Sequence, residues 1–438
     1  MAPDIPFKPA SYSRFACIGA GFSGIGLGAT LKRWYGITDV RLFERHDHCG
    51  GTWYANRYPG AACDIPSALY SLSYESNPDW SRILPPAAEL REYLVRVAEK
   101  YDLLKCMTLG TEVLRCEWLE GKGGEGKEEE ARTGRWRMTL RNVKTGDVFF
   151  HECQFLFSGA GQLVKPRDLD IPGAETFKGR IIHSARLRGT NENGDYRGVD
   201  VNGNEFDVEI KGKKIVVIGN GCTGTQIVPV IVPQASHVTQ IVRSKHWLVP
   251  SADAKNLPFL RFMLRWVPGA MLFQRMLIAW MAEKFIKAYP LTEAGQRFRD
   301  SQRAVLEPYM RKMAPKKYHD LLIPDFEVGC KRRIFDTGYL ECLHGDNITL
   351  TNEKALEIVP EGIRTAKGII EADLIIQANG FQTNSPLHGI EIVGRGGETL
   401  EKHWDTFGGP GAYNCTILNG FPNFFLLLGK SHACPFGE

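Results

Sequence analysis

The sequence predicts an α/β fold: two Rossmann-like dinucleotide-binding domains with a helical insertion. Three observations carry that prediction. A buried-looking strand breaks into a glycine turn, a helix and a second strand near the N-terminus. The same pattern returns from residue 214, and a long apolar stretch studded with arginine follows it.

Composition sets the bounds. At 438 residues two or three domains are expected. Hydrophobic residues at 43% and charged residues at 24% suit an ordinary globular chain. A net charge of +4 is too small to suggest a nucleic-acid partner. The eleven cysteines show no C-x-x-C pair and no spacing with histidine that would hold a metal, so a disulfide reductase and a metal centre are not expected. Residues 1–13 lack the apolar core of a signal peptide. Reduced cysteines and a cytoplasmic location are the expectation.

The first element starts with Phe15-Ala16-Cys17-Ile18, an apolar run that reads as a buried strand. It meets Gly19-Ala20-Gly21-Phe22-Ser23-Gly24, and residues 25–34 read as a helix. Val40-Arg41-Leu42-Phe43 then forms a strand closing on Glu44, about twenty residues past the last glycine. Gly19 permits a tight turn, Gly21 lets backbone approach a pyrophosphate, and Gly24 lets helix and strand pack closely. The helix start offers N–H groups and a positive dipole end to phosphates, and Glu44 is placed to accept hydrogen bonds from a ribose. Gly19, Gly21, Phe22, Ser23, Gly24 and Glu44 are therefore candidate cofactor-binding residues.

Past Glu44 come Cys49-Gly50-Gly51-Thr52-Trp53, Asn56-Arg57-Tyr58-Pro59-Gly60 and Asp64. Glycine and proline at this density predict a rigid loop. An aromatic and a carboxylate on it suggest contact with a cofactor ring; a structural loop with a salt bridge explains them equally well. Gly51, Thr52, Trp53, Asp64 and, further on, Tyr70 join the candidate cofactor-binding set. Residues 85–101 carry helical periodicity, and 111–118 and 136–143 alternate as strands. Between those strands 121–134 reads as a solvated excursion. The strand 153–157 ends in Ser158-Gly159-Ala160-Gly161, a plausible crossing between domains.

The polar stretch 188–213 predicts an exposed loop or hairpin. A second fingerprint follows: strand 214–218, then Gly219-Asn220-Gly221-Cys222-Thr223-Gly224, helix 225–231 and strand 237–242 closing on Arg243-Ser244-Lys245. A cationic end suits a 2′-phosphate, hence NADP rather than NAD. One acidic-ended and one basic-ended site in a single chain read as FAD plus NADPH. Gly219, Gly221, Thr223, Gly224, Arg243 and Ser244 are the second candidate set.

Residues 257–291 are strongly apolar, but arginines interrupt them and no run is long enough to span a membrane. One or two buried helices of an inserted subdomain are expected, with an apolar substrate wall or a membrane-surface contact as the weaker alternative. Helix continues over 292–312. Gly329-Cys330-Lys331-Arg332-Arg333 is a cationic cluster, readable as solvated surface or as functional. Short strands fall at 347–351, 356–359 and 372–378, the last ending in Asn379-Gly380-Phe381, and an apolar strand at 424–428.

With these pieces in place the chain resembles the Baeyer–Villiger monooxygenases, a branch of the class B flavoprotein monooxygenases, and their fungal members above all. The resemblance runs from about residue 14 to 429 and rests on both fingerprints, Gly50-Gly51-Thr52-Trp53, Asn56-Arg57-Tyr58-Pro59-Gly60, Asp64, Lys331-Arg332 and Gly420-Phe421-Pro422-Asn423. The family pattern F-x-G-x-x-x-H-x-x-x-W is met at Phe177, Gly179 and His183, with Leu187 in place of its tryptophan. Asn379 stands where the family usually has threonine. Gly429-Lys430-Ser431 replaces a usual G-P-N, and no further C-terminal segment follows.

The resemblance implies an FAD-binding domain from 1–164 and 373–438, an NADPH-binding domain from 165–252 and 329–372, and a helical insertion over 253–328. It implies NADPH reducing the flavin, O₂ adding to give a C4a-peroxyflavin, and attack on an apolar ketone that yields an ester or lactone. Arg332 matches the arginine that stabilises the negative charge, Asp64 the carboxylate orienting it, and Lys331 a cofactor contact. His183 belongs to a signature coupling the nucleotide domains. Two alternatives remain. N- or S-oxygenation by a hydroperoxyflavin needs no such arginine. An uncoupled NADPH oxidase or non-oxygenating flavin-binding paralogue is the reading that the altered C-terminus supports. A bulky ketone such as a polyketide, terpenoid or steroid would suit the apolar insertion, though core packing explains those side chains equally well.

Overall fold

The computed structural model describes residues 11–121, 134–190, 196–200, 204–251, 253–383 and 387–427. Most of the 121–134 excursion, parts of 188–213 and the 429–431 replacement lie outside the described residues. The described chain divides into two compact units, one of residues 11–55, 91–165 and 381–427, the other of 56–90 and 166–380.

The first unit is built on an eight-stranded sheet. Its strands are β1 (Ser11–Ile18), β2 (Val40–Phe43), β3 (Met107–Thr108), β4 (Thr111–Leu119), β5 (Arg135–Asn142), β6 (Val148–Ser158), β20 (Glu391–Val393) and β21 (Phe424–Leu426); the intervening numbers belong to the second unit. The order is β20-β4-β5-β6-β1-β2-β3, with β21 also on β6. The long β6 serves two pairings. It runs parallel to β1, with Ser11 opposite His151 and Ile18 opposite Ser158, while its other edge pairs first with β5 and then with β21. Ala16 and Cys17 lie inside the parallel part and are fully buried, as continuous apolar strands must be. On β5 the alternation is plain: Trp136, Met138 and Leu140 turn inward to the core with Cys153, Leu156 and Phe424. The indole N–H of Trp136 donates to the Pro422 carbonyl at 2.8 Å. Helix α1 (Phe22–Tyr35) follows β1, and α2 (Thr52–Ala55) is a single turn. That turn corrects the expectation of a pure loop past Glu44.

The second unit holds a five-stranded, wholly parallel sheet in the order β15-β12-β11-β19-β7. These strands are β7 (Arg180–His183), β11 (Lys214–Ile218), β12 (His237–Ile241), β15 (Ile348–Thr351) and β19 (Leu374–Gln377). Helix α3 (Ala87–Lys100) carries the chain between units, and α4 (Cys222–Ile231) follows β11. Because β19 pairs with β11 and β7, this unit extends to 380. Residues 56–90 also group here rather than with the segment before them.

Three small sheets complete the unit. The stretch expected as loop or hairpin forms β8 (Leu187–Thr190), β9 (Tyr196–Val199) and β10 (Glu205–Val208), three antiparallel strands too short and polar to be read from periodicity. β16 (Glu357–Val359), β17 (Gly362–Thr365) and β18 (Gly368–Glu371) form another antiparallel sheet, and β13 (Leu248–Pro250) pairs in parallel with β14 (Ile334–Asp336). The insertion supplies α5 (Pro258–Trp266), α6 (Ala270–Glu283) and α7 (Glu293–Met313). One or two buried helices were expected over 257–291, and two are present. They are largely exposed: α6 has no buried residue and α5 only Leu264.

Two stability predictions follow from the first unit. Trp136→Ala removes a fully buried ring and leaves the Pro422 carbonyl without its donor, so it should cost about 3–5 kcal/mol in urea unfolding followed by circular dichroism. His151 is buried between the Ser11 and Ser13 hydroxyls, at 2.8 and 2.9 Å, and burial lowers its pKa to about 4. The unfolded imidazole protonates near 6.5, so the stabilising neutral form is fully present above that pH and is lost as pH falls toward 4. Up to about 3 kcal/mol should disappear across this window. In His151→Gln the same urea titrations should show a flatter slope.

Candidate active site and nucleotide turns

In the first unit the glycine turn is dictated by contact. A side chain on Gly24 would put its Cβ 2.1 Å from the Gly19 carbonyl oxygen, so only glycine lets α1 start here. Gly51, at φ +54°, brings its backbone against Gly21, where a Cβ would lie 2.7 Å from the Gly21 Cα. The Gly50 N–H donates to the Ala20 carbonyl at 2.9 Å and fixes that approach. Thr52 and Trp53 open the turn of α2 directly after it. Gly21 caps α1 without a side-chain bond, and no acid lies in the first turn, formed by Phe22, Ser23 and Gly24. The positive dipole end of α1 therefore meets no acid of its own first turn and suits an anion. The Glu44 carboxylate accepts from the Ala20 N–H at 2.9 Å and the His46 N–H at 3.0 Å. Burial raises its pKa against these bonds. Each oxygen keeps a further lone pair for a ribose hydroxyl.

The second unit repeats the device. A Cβ on Gly224 would lie 2.4 Å from the Gly219 oxygen, and Gly221 caps α4 with no side-chain bond and no acid in the first turn. A Cβ on Gly221 would meet nothing within 4 Å, so space stands open above the helix start. Buried Gln240 donates to the Gly219 carbonyl at 2.9 Å and accepts from the Tyr339 hydroxyl at 2.7 Å. Asn220 donates to the Ser244 carbonyl at 2.6 Å, tying the turn to the end of β12. There Arg243 is exposed, the Ser244 hydroxyl meets His246 Nε2 at 3.3 Å, and burial with the nearby Lys331 charge lowers the His246 pKa.

The loop of residues 56–64 packs on α4. Tyr58 donates from its hydroxyl to Gln226 Oε1 at 2.8 Å, and Gln226 donates back to the Ala62 carbonyl at 3.1 Å. Thr223 also bonds the Tyr58 hydroxyl. Only glycine fits at position 60, because a Cβ there would lie 2.5 Å from the Gln226 carbonyl oxygen. This clamp carries Asp64, whose Oδ2 meets Arg332 Nη2 at 2.6 Å and accepts the Cys222 thiol at 3.8 Å. Burial pushes that thiol up to about 11, so it stays a neutral donor. The Arg332 side chain is 60% exposed. The pair thus contributes orientation rather than stability. His183, its pKa lowered by burial, donates from Nε2 to the Gly380 carbonyl and accepts the Ala185 N–H at Nδ1, both at 3.0 Å. Leu187 is fully buried in the core of this unit.

The candidate residues thus fall into two groups. Gly19, Gly21, Phe22, Ser23, Gly24, Glu44, Gly51, Thr52 and Trp53 share the first unit. Asp64, Tyr70, Gly219, Gly221, Thr223, Gly224, Arg243, Ser244, Lys331 and Arg332 share the second. Tyr70 is half-buried there, on a turn whose N–H donates to the Pro66 carbonyl. Sequence reasoning passed over Cys222 and Asn220, which look like spacers in the fingerprint, and over Gln226 and Gln240, which carry no local signal.

The NAD(P)-binding Rossmann-like domain family matches residues 17–85. The FAD-binding monooxygenase tazF of Aspergillus terreus is 32% identical, covering 97% of this chain and 72% of its own length. A Baeyer–Villiger monooxygenase of Streptomyces coelicolor is 31% identical over 95% of this chain and 73% of its own. The chain belongs to the Baeyer–Villiger monooxygenases. It is a flavin-dependent monooxygenase of that type. A solved structure of OTEMO in complex with FAD and NADP aligns with a TM-score of 0.78 at 26% identity, covering 96% of this chain and 81% of that one. In this family member Gly224→Ala should weaken NADP binding at least about ten-fold, because the Cβ displaces the carbonyl that shapes the turn. Titration of NADP onto the flavin-loaded protein measures it.

Proposed function

We propose that the chain uses NADPH and O₂ to oxidise an apolar ketone to an ester or lactone. The observation that carries this reading is the Arg332–Asp64 pair, a fixed guanidinium with most of its surface open. The residues fit the two cofactors. Gly19, Gly21, Phe22, Ser23, Gly24, Glu44, Gly51, Thr52 and Trp53 would hold FAD, and Gly219, Gly221, Thr223, Gly224, Arg243, Ser244 and Lys331 would hold NADPH; Asp64 and Tyr70 are the further candidate cofactor contacts. Bound FAD would take a hydride from NADPH and pass both electrons to O₂, so that one oxygen atom reaches the ketone and the other leaves as water.

The chain's own residues do the rest. Attack on a ketone carbonyl places negative charge on oxygen, and a preorganised guanidinium stabilises it without reorganisation at the moment of reaction. Asp64 holds Arg332 in one orientation, and the Cys222 thiol donates to the same carboxylate oxygen from the start of α4. Arginine suits this role better than lysine because its charge is permanent and its planar fork can hold Asp64 while presenting further N–H groups.

Arg332→Ala should keep bound FAD and its reduction by NADPH, while ester formation falls on the order of 10²-fold or more. Product analysis with a ketone panel checks this, and an undiminished ester yield would remove the assigned role. For the intact protein, stopped-flow mixing of the NADPH-reduced form with oxygen should show a long-lived absorbance distinct from oxidised flavin. Immediate return to oxidised flavin with stoichiometric H₂O₂ would favour an uncoupled oxidase.

A further inference from the structure

In the second unit, α5 and α6 are mounted inside out. Phe259, Phe262 and Trp266 on α5, and Phe273, Met276 and Trp280 on α6, repeat at intervals of three and four and so line one side of each helix. A core helix would turn that side inward. Here Phe259 is 72% exposed, Trp266 67%, Phe273 69% and Trp280 59%. The arginines point the other way. Arg275 donates to the Ala68 and Ser71 carbonyls at 2.8 and 3.1 Å, and Arg265 pairs with Asp79. Arg275 ties α6 to the 68–79 loop, opposite its aromatic side, and half-exposed Arg265 adds an ion pair to the same loop.

The segment that carries this face has more exposed lysines than exposed acids. Between residues 253 and 291 the exposed lysines are Lys255, Lys284 and Lys287, against one exposed acid, Glu283. Asp253 is already paired with Arg82 at 2.7 Å. Lys284 rests its ammonium 3.3 Å from the Trp280 ring centroid, an aliphatic stem along an apolar surface with its charge at the edge. Aromatic and aliphatic side chains flanked by lysine are the composition of a helix lying in a headgroup layer. No described helix is long and apolar enough to cross a membrane.

We propose that the α5–α6 face rests on an anionic lipid surface, with the aromatic side chains in the headgroup region and the lysines against the lipid charge. A second copy of the chain is the other candidate occupant. A two-fold contact would bring the lysines of two copies together, where like charges repel, whereas an anionic leaflet complements them. The inference does not depend on the oxygenase reading, because it uses no residue of the nucleotide turns or of the Arg332 pair.

The test is flotation of the flavin-loaded protein with vesicles of phosphatidylcholine, alone or mixed with phosphatidylserine. Binding should appear with phosphatidylserine and weaken as salt rises. Phe273→Ser with Trp280→Ser should reduce it at least about ten-fold, and Lys284→Glu with Lys287→Glu should abolish the preference for phosphatidylserine. These positions are exposed, so the flavin content and NADPH oxidation rate of the variants should match the parent. Absence of binding to either vesicle overturns the proposal, and a concentration-dependent dimer in ultracentrifugation, lost in Phe273→Ser with Trp280→Ser, would assign the face to a second copy. Undiminished vesicle binding by both double variants overturns it as well, since another surface would then be responsible.

Discussion

At the end of β1, and again at the end of β11, the chain folds back on its own carbonyl so tightly that no side chain fits between strand and helix. Gly24 sits against the Gly19 oxygen and Gly224 against the Gly219 oxygen. The neighbouring strand closes in as well: a Cβ on Gly19 would lie 2.6 Å from the Gly159 oxygen, and one on Gly219 2.4 Å from the Ala378 oxygen. Steric exclusion of this kind fixes where each helix begins. Each helix thus starts from a glycine with no side chain of its own to cap it and no acid in its first turn, which suits an anion. The anion sites are thus consequences of packing, repeated in two units that differ in almost everything else.

The charge pair inherits its rigidity from the second of these turns. Asp64 reaches Arg332 because Tyr58, Gly60 and Ala62 are clamped to Gln226 on α4. Cys222, the first residue of that helix, meets the same carboxylate oxygen. The nucleotide turn and the guanidinium are therefore one mechanical piece, and a shift of α4 is felt at Arg332. His183 performs a similar local service. It joins the end of β7 to Gly380 after β19, two strands that already pair in register.

Both fingerprints were legible because their information is local: a strand, three glycines at fixed spacing and a helix lie within about twenty-five residues. The parallel strands carrying them were legible for the same reason, since buried parallel strands read as unbroken apolar runs. The Arg332–Asp64 pair came only through resemblance, because no periodicity links residues so far apart in the chain. Two features were legible only in part. The four-residue strands β8 to β10 are polar and short, and only each other's backbones make them strands. The exposure of α5 and α6 was misjudged because apolar composition tells what a side chain prefers, not whether anything is there to cover it.

The double pairing of β6 has a consequence for synthesis on the ribosome. Its outer edge beyond β5 is taken by β21, whose residues Phe424–Leu426 are the last described strand of the chain, and β4 takes β20 only slightly earlier. The second unit has all its strands once Gln377 has emerged. The unit that begins first in sequence is therefore completed last, with β1, β2 and the meander holding an open edge while the whole inserted unit is made. Non-local closure of that kind is slow and leaves strand edges unpaired meanwhile. The nascent first unit is where chaperone attendance, or misassembly in its absence, would concentrate.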